Sequence, residues 1–348
     1  MTKTLSEAEA ATRLEQLEQE HGLWSLRVSG FSPWRIVRFA VGLDLQNLPF
    51  RSNSLPRNAL AKACFRSLVD IVFMRRNHRY AVKSFASALR GRGAEGYEDA
   101  YFESLLQNVP GGLRMHSLNA IGYEGRTLSW SGSSVDTTLI LVVGAVLARI
   151  FPIRGSEQIF GRIEQAVSSR IPGNRFPAAR VRRMFSSFWW QSVLYRWFLR
   201  YAGVKAVFVA DSGERAMLKA ARETECRFVE LQHGIFTPNH PDALPRAPGL
   251  DAEDPGLLLP DIVAAYGSNW VAAHRDRLLG GSGRVRPVGA SFIEQLRLKR
   301  HRSKPSDEVV KILVTTQGLA REELISLLQD FLASCQVPLQ LDIKLHPA

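Results

Sequence analysis

A strand–helix–strand pattern between residues 204 and 233 constrains the fold more than any other part of this sequence. Residues 206–210 and 227–231 are short apolar runs of strand formers, and residues 213–224 between them have a helical pattern. Together they make one β-α-β unit of ordinary size. The pattern therefore predicts an α/β fold built on an open, doubly wound sheet.

The second of these strands leads into a polar turn, Gln232-His233-Gly234, which is the first candidate for a functional site. Gly234 can adopt a positive φ, and Pro238 and Pro241 prevent regular structure beyond it. We expect His233 at the carboxyl end of a strand, which is where ligands bind in open α/β sheets. A histidine that only caps a helix or pairs with a neighbour would fit the same spacing.

Size, charge and cysteine content restrict the class of protein. The chain has 348 residues, of which 45% are hydrophobic, and this is enough for two cores. Its 45 basic and 33 acidic residues leave a net charge of +12, which favours an anionic partner: nucleic acid, an anionic membrane or a phosphorylated substrate. The three cysteines are far apart and form no CxxC motif, so we expect a cytoplasmic protein.

The first half of the chain contains several periodic segments. Residues 6–21 are predicted to form a charged helix with a capping box, and residues 24–47 contain apolar residues at helical spacing. Residues 68–74 are rich in β formers and are interpreted as the first strand of the sheet, followed by a basic loop. Residues 137–148 are the most apolar run and are predicted to be a buried helix, too short to cross a bilayer.

Two basic features have more than one interpretation. Arg35 and Arg38 belong to a predicted helix that either packs one face on a core or directs one of these arginines at the ligand crevice. Residues 175–201 interleave six arginines with aromatic residues. That segment is typical of an interfacial helix on an anionic membrane, of a surface that stacks nucleic-acid bases, or of a core helix whose arginines reach solvent.

The last part of the chain repeats the strand–helix–strand pattern. Residues 309–315 and 339–345 are predicted strands, and residues 321–334 form a helix between them. The predicted organisation is therefore N-terminal helices in residues 1–59, a first Rossmann-like domain in 60–296, a linker in 297–308, and in 309–348 the start of a second, incomplete domain.

Short motifs follow one another in a characteristic order. They are Glu230-Leu-Gln-His-Gly234, His240-Pro241, Pro260-Asp261, Tyr266-Gly267, Thr316-Gln317 and Lys344-Leu-His-Pro347. This order resembles bacterial glycosyltransferases of the GT-B fold that build capsular or O-antigen polysaccharides. The final His-Pro resembles the motif with which sialyltransferases, Kdo transferases and the glycerophosphotransferases of teichoic-acid synthesis hold a cytidine-nucleotide donor.

The resemblance implies a GT-B-like pair of Rossmann-type domains and a set of roles. It implies transfer of a sugar from a nucleotide donor, CMP- or CDP-linked, to a glycan or lipid-linked acceptor, without a metal or another cofactor. His233 becomes the candidate base, since an imidazole titrates near neutral pH. The implied donor-binding residues are His346, Pro347, Lys344, Gln317 and Gly318, and the implied substrate-binding residues are Gln232, Gly234, Glu230 and Arg35.

The same interpretation places the protein in the cytoplasm, at the inner face of the membrane, with residues 175–201 as the peripheral contact to anionic lipid. It implies no specific nucleic-acid partner. Two other classes of function fit the charge and the basic aromatic segment: a non-catalytic, membrane-associated scaffold or truncated inactive paralogue, and a nucleic-acid binder. Vesicle binding without nucleotide binding would favour the scaffold. A nucleic-acid binder would require a recognisable nucleic-acid-binding motif.

Overall fold

A seven-stranded parallel sheet forms the centre of the first of two units, residues 1–294 and 295–348. The computed structural model describes residues 5–46, 57–84, 89–91, 97–117, 133–171, 175–210, 213–232, 234, 237–246, 250–290, 293–294, 310–315 and 321–344. The strands of the first unit are β1 (Tyr80–Lys83), β2 (Leu89–Gly91), β3 (Tyr97–Asp99), β4 (Gly112–His116), β5 (Ser133–Asp136), β6 (Ala206–Val209), β7 (Arg227–Leu231), β8 (Ile262–Ala265) and β9 (Val285–Pro287).

The helices of the first unit lie before, between and after these strands. They are α1 (Glu7–His21), α2 (Pro33–Leu45), α3 (Arg57–Phe73), α4 (Glu103–Asn108), α5 (Thr138–Ile150), α6 (Glu157–Arg170), α7 (Ala178–Ala202), α8 (Arg215–Glu223), α9 (Ser268–Ala273) and α10 (Leu278–Gly281). Short 3-10 helices occur at Leu23–Ser25 and Pro255–Leu257.

The strand order of the main sheet is β5-β4-β1-β6-β7-β8-β9, and every neighbouring pair is parallel. The chain moves outward from β1 to β4 and β5, and then returns to the other side of β1 to form β6. This reversal between β1 and β6 is the topological switch point of a Rossmann-like α/β fold. The predicted α/β class is confirmed at this level.

The two faces of the sheet have different cores. One face carries the large core, in which α7 packs on α5, α6 and α8 and buries Phe185, Tyr195 and Phe198 completely. The opposite face carries a small core of five buried residues, among them Phe102 and Leu106 around α4. The partly buried members of that small core include residues from β6 and β7, so this face is covered less completely.

Local sequence signals account for the ends of α1 as predicted. Ser6 accepts a hydrogen bond from the backbone N–H of Glu9, and the carboxylate of Glu9 accepts one from the backbone N–H of Ser6. This reciprocal capping box satisfies N–H groups that the first turn of a helix leaves unpaired. At the other end, Gly22 adopts φ 57°, a left-handed conformation that glycine tolerates without strain.

The strand predicted at residues 68–74 is wrong. This segment is the second half of α3, and the first strand of the sheet is instead β1. The reason is burial at helical spacing: Ala63, Ser67 and Ile71 lie four residues apart and face inward together. The serine contributes two further contacts, since its hydroxyl donates to the carbonyl of Asp136 at 2.5 Å and accepts from the N–H of Leu139 at 3.1 Å.

The helix predicted at residues 137–148 is present as α5, but its burial was overestimated. Its N-terminal half is packed against α7, where Gly144 permits a close approach, since an added Cβ would lie 2.5 Å from the side chain of Gln191. Its C-terminal half reaches the surface, and Val146 and Ile150 are exposed. Within the described part of the chain, no helix combines the length and the apolarity needed to span a membrane.

The segment of residues 241–260, which begins at the Pro241 that prevents regular structure, is packed into the core over much of its described part. Leu244, Leu257, Leu258 and Leu259 are all completely buried. In the second unit the strands β10 (Val310–Thr315) and β11 (Leu339–Lys344) pair in parallel, and α11 (Arg321–Ser334) connects them. That unit therefore has the β-α-β structure expected from the sequence.

A buried carboxylate ties this segment to two helices of the first unit. Asp242 accepts a hydrogen bond from Arg35 of α2 at 2.6 Å and another from Arg215 of α8. Arg35 also donates to the carbonyl of Leu257 at 3.2 Å. Burial alone would raise the pKa of Asp242, but the two guanidinium groups outweigh burial and hold its pKa well below the ordinary value.

A second ion pair extends this network to the N-terminal helix. Glu18 of α1 accepts from Arg38 of α2 at 2.5 Å and from the indole N–H of Trp34 at 2.8 Å. Arg38 also donates to the carbonyl of Pro241. All of these charged side chains are almost completely buried. Each buried charge would therefore destabilise the fold strongly if its partner were removed.

We predict that Asp242→Asn lowers the free energy of unfolding by about 3–5 kcal/mol, because it leaves two buried guanidinium groups without a counter-charge. Because the folded-state pKa of Asp242 is depressed, its contribution is complete above about pH 4 and is lost as the pH falls further. Chemical denaturation at neutral and acidic pH measures both effects, and the destabilisation caused by Asp242→Asn should become smaller as the pH falls below about 4, since the wild type then loses the same contribution.

Glu253→Gln is the matched control, since Glu253 is 77% exposed and pairs with Arg284 at the surface. It should cost less than about 1 kcal/mol. If Asp242→Asn behaved like Glu253→Gln, the buried network would not be a main source of stability.

Candidate functional site

A cavity lies at the carboxyl edge of the main sheet, where ligands bind in open α/β sheets. Its volume is about 440 Å³, within the usual range for small-molecule sites. One wall of the cavity comes from the strand ends: Leu231 and Gln232 at the end of β7, Ala264 and Tyr266 at the end of β8, and Val288, Gly289 and Ala290 after β9. The opposite wall consists of residues in and around α4: Ala100, Tyr101, Ser104, Leu105, Asn108 and Val109. The cavity is therefore mostly apolar with a few polar groups, on the face that α4 partly covers.

Two tyrosines from distant parts of the chain face each other across this cavity. Tyr266 follows β8, whereas Tyr101 lies just before α4, and the two side chains hydrogen bond to each other. Burial, with the neighbouring Tyr101 as the second cause, raises the pKa of Tyr266 above its ordinary value. The Tyr266 hydroxyl is therefore protonated at neutral pH and can both donate and accept a hydrogen bond.

A buried carboxylate fixes the position of Tyr101. Asp99 accepts hydrogen bonds from the backbone N–H groups of Tyr101 at 2.9 Å and Phe102 at 3.1 Å. Its other oxygen accepts from Arg114 of β4 at 3.0 Å and from the hydroxyl of Ser84, which follows β1. The Asp99 and Arg114 side chains are both fully buried. The segment before α4 is thus attached to β4 and to the end of β1, which makes this wall of the cavity a fixed one.

The opposite wall is fixed by the side chain of Gln232. Its amide oxygen accepts from the backbone N–H of Tyr266 at 2.9 Å, and its amide nitrogen donates to the carbonyl of Gly234 at 2.9 Å. The backbone N–H of Gln232 also donates to the carbonyl of Ala264 at 3.0 Å. Gln232 therefore joins the ends of β7 and β8.

The topological switch point itself is occupied by a different polar cluster. Lys83, at the end of β1, is ion-paired with Glu214 just before α8 and donates to the hydroxyl of Tyr195 at 3.2 Å. Burial would lower the pKa of Lys83, but Glu214 and Tyr195 outweigh burial and raise it above its ordinary value. The lysine is therefore charged at neutral pH, and Glu214 neutralises it.

A histidine lies at the next strand end of this edge. His116 closes β4, and its imidazole lies 4.0 Å from the carboxylate of Asp136 at the end of β5. Burial lowers the pKa of His116, although Asp136 and Asp70 oppose that effect. The imidazole is therefore mostly neutral at neutral pH.

The predicted site residues fall into two groups. Gln232 is in the cavity wall, and Gly234 accepts its hydrogen bond. Glu230 lies within β7 and is buried. Arg35 is also buried, but its guanidinium is engaged by Asp242 and by a carbonyl group, and it is not among the residues that line the cavity.

The structure describes no side-chain geometry for the remaining predicted site residues. His233, Gln317, Gly318, His346 and Pro347 lie outside the described residues. Lys344 is the last residue of β11. Their roles stay predictions.

Sequence reasoning missed Tyr101 and Ser104 as wall residues, and it noted Tyr266 only as part of a motif. Tyr101 and Tyr266 are brought together only by the order of the strands, so no local pattern could pair them. The sequence did contain one signal for Tyr266 as a wall residue. Tyr266 follows an apolar strand, as Gln232 does, and the carboxyl ends of parallel strands lie at one edge of the sheet.

No protein-family model matches the chain, and no curated protein matches it. Its function is therefore inferred from the geometry of the site and from the motifs in the sequence.

We predict that Gln232→Leu removes both bridging hydrogen bonds and lowers the free energy of unfolding by about 1–3 kcal/mol. Hydrogen exchange should localise the effect, because the backbone N–H of Tyr266 loses its acceptor and should exchange faster. Gln19→Leu, on the exposed side of α1, is the control and should change stability by less than about 0.5 kcal/mol. Unchanged exchange at Tyr266 in Gln232→Leu would refute the bridge.

Proposed function

We propose that this protein is a nucleotide-sugar-dependent glycosyltransferase in which the cavity holds the acceptor and His233 acts as the base. One observation carries the proposal. The residue before His233 is in the wall of the cavity, at the carboxyl edge of a Rossmann-like sheet. Ligands bind at this edge in open α/β sheets, and a general base must lie within hydrogen-bond reach of the hydroxyl group that it deprotonates.

The chemistry of the cavity suits a sugar. Apolar walls and aromatic rings pack against the C–H faces of a sugar ring, while a few polar groups fix its hydroxyls. Tyr101 and Tyr266 supply the rings, and Ser104, Asn108 and Gln232 supply polar atoms. Since the raised pKa of Tyr266 keeps its hydroxyl protonated, this group can exchange hydrogen bonds with an acceptor hydroxyl without carrying charge.

The proposed reaction is a single displacement. The imidazole of His233 takes the proton of the acceptor hydroxyl as the oxygen forms a bond to the anomeric carbon of the donor sugar. The bond between that carbon and the phosphate oxygen breaks, and the nucleotide leaves with the electron pair. Positive charge near the leaving phosphate stabilises it.

The second unit supplies the proposed donor site. Its parallel β-α-β structure supports this assignment, because the carboxyl ends of such strands are where nucleotides bind. Gln317 and Gly318 follow β10, Lys344 ends β11, and His346 and Pro347 follow it. The donor is proposed to be CMP- or CDP-linked, on the resemblance of this His-Pro motif alone.

The biological setting is part of the same proposal. The order of the motifs favours the synthesis of a bacterial surface polysaccharide, capsule or O-antigen, with a glycan or lipid-linked acceptor. Donors of this kind are cytoplasmic, so the reaction is proposed to take place in the cytoplasm at the inner face of the membrane.

We predict that His233→Ala lowers turnover by about 10²- to 10⁴-fold, the usual cost of losing a general base, with little change in donor affinity. The assay follows release of CMP or CDP from a panel of sugar donors in the presence of bacterial surface glycans. Donor affinity is measured by calorimetry, and thermal unfolding shows whether the variant is folded.

Two variants complete this test. His21→Ala, at the C-terminal end of α1, should leave turnover unchanged. His346→Ala should weaken donor binding as well as turnover, since its proposed partner is the donor phosphate. Wild-type turnover in a folded His233→Ala variant would show that this histidine is not the base, and no turnover by the wild type with any donor would refute the transferase.

A further inference from the structure

The helix α3 is apolar on its outward face as well as on its inward face. Ala63, Ser67 and Ile71 point into the protein. The opposite side presents large apolar side chains that are 37% to 81% exposed: Phe65, Leu68, Val69, Val72 and Phe73. A helix on the surface of a water-soluble protein usually has a polar outward face, so this second apolar stripe indicates that something covers it.

Two neighbouring helices extend this apolar surface. α5 packs on both α3 and α7, and its C-terminal end exposes Val146, Ile150 and Phe151. The ring of Trp190 in α7 lies 6.3 Å from the ring of Phe151, and its indole N–H donates to the carbonyl of Phe151 at 2.8 Å. These residues therefore form one aromatic and aliphatic surface across α5 and α7.

The C-terminal ends of α3 and α7 also meet. Arg76, three residues beyond α3, lies over the ring of Tyr201 at 4.4 Å. That ring stacks on Trp197 with the two centroids 5.3 Å apart, and the indole of Trp197 is 55% exposed. We call the combined surface the α3–α5–α7 face; it consists of Phe65, Leu68, Val69, Val72, Phe73, Val146, Ile150, Phe151, Trp190 and Trp197.

The charge of the three helices is strongly one-sided. Their sequences contain nine arginine or lysine residues and a single acid, Asp70. The carboxylate of Asp70 accepts a hydrogen bond from the backbone N–H of Asp136 at 2.9 Å, so this acid stabilises the fold. Arg66, Arg149 and Arg183 are exposed, one on each helix. The apolar residues thus share their helices with an excess of positive charge, of which two arginines of α7 pair with acids of neighbouring helices.

We propose that the α3–α5–α7 face binds the surface of an anionic phospholipid bilayer. Exposed aromatic and aliphatic side chains enter the headgroup region, where tryptophan and tyrosine rings are favoured, and the arginines of the same helices contact lipid phosphates. A second copy of the chain fits less well, because a two-fold contact of this face with itself would bring the arginine-rich helices of both copies together.

This proposal changes how the basic aromatic segment of the sequence is interpreted. Most aromatic residues of α7 are core residues: Phe185, Phe188, Tyr195 and Phe198 are buried. Only the outward line of this helix, which includes Trp190 and Trp197, belongs to the proposed membrane surface. α3 contributes its two most exposed side chains.

The test is co-flotation of the full chain with vesicles, without donor or acceptor, so that its result is independent of the transferase proposal. Vesicles of phosphatidylcholine alone are compared with vesicles that also contain phosphatidylglycerol. The wild type should float with the anionic vesicles, and added salt should weaken this binding. The double variant Val72→Ser/Phe73→Ser should bind at least about tenfold more weakly, because it removes two exposed apolar anchors.

Two further variants separate the contributions. Arg66→Gln/Arg149→Gln should reduce binding to anionic vesicles and flatten its salt dependence. Ile293→Ser, which replaces an exposed apolar residue outside the α3–α5–α7 face, should bind like the wild type. Since all replaced side chains are at the surface, thermal unfolding of each variant should match the wild type.

Either of two results would overturn the proposal. One is equal flotation of Val72→Ser/Phe73→Ser and the wild type. The other is a wild type that does not float but is dimeric in sedimentation and becomes monomeric in Val72→Ser/Phe73→Ser, because the face would then be a self-association surface.

Discussion

The carboxylate of Asp242 is the interaction on which the arrangement of the first unit depends most. It joins Arg35 of α2 to Arg215 of α8 in a setting from which water is excluded. Asp242 lies in the segment that follows β7 and Gln232, so one ion-pair network fixes both the N-terminal helices and the chain beyond the candidate site. A buried charge of this kind stabilises only while every partner is present, which makes this network an all-or-none constraint.

A buried ion pair and buried hydrogen bonds also fix the two walls of the candidate site. Asp99 with Arg114 fixes the wall that carries Tyr101, and the amide of Gln232 fixes the wall that carries Tyr266. Both walls are therefore set by hydrogen bonds to strand ends of the rigid sheet. A site built on strand ends keeps its geometry, and this is what acceptor positioning in sugar transfer would require.

The sequence predicted the fold where local signals and tertiary burial agree, as in the unit from β6 to β7 and in β10–α11–β11. It failed at residues 68–74, because a run of β-branched and aliphatic residues looks the same as a strand or as a helix that is apolar on two sides. The cavity could not be predicted from the sequence, because Tyr101 and Tyr266 are brought together only by the order of the strands in the sheet. Gln232 could be found, since a polar residue after an apolar strand is a local signal.

The most direct test of the account is a glycan array of bacterial surface oligosaccharides probed with the wild type and with Ser104→Trp. Ser104 is a partly exposed wall residue of the cavity, and an indole there fills the space proposed for the acceptor without changing the core. The account predicts that the wild type retains at least one of these glycans and that the variant, folded and equally stable, loses it. Retention of the same glycans by both proteins, or of none by the wild type, would contradict it.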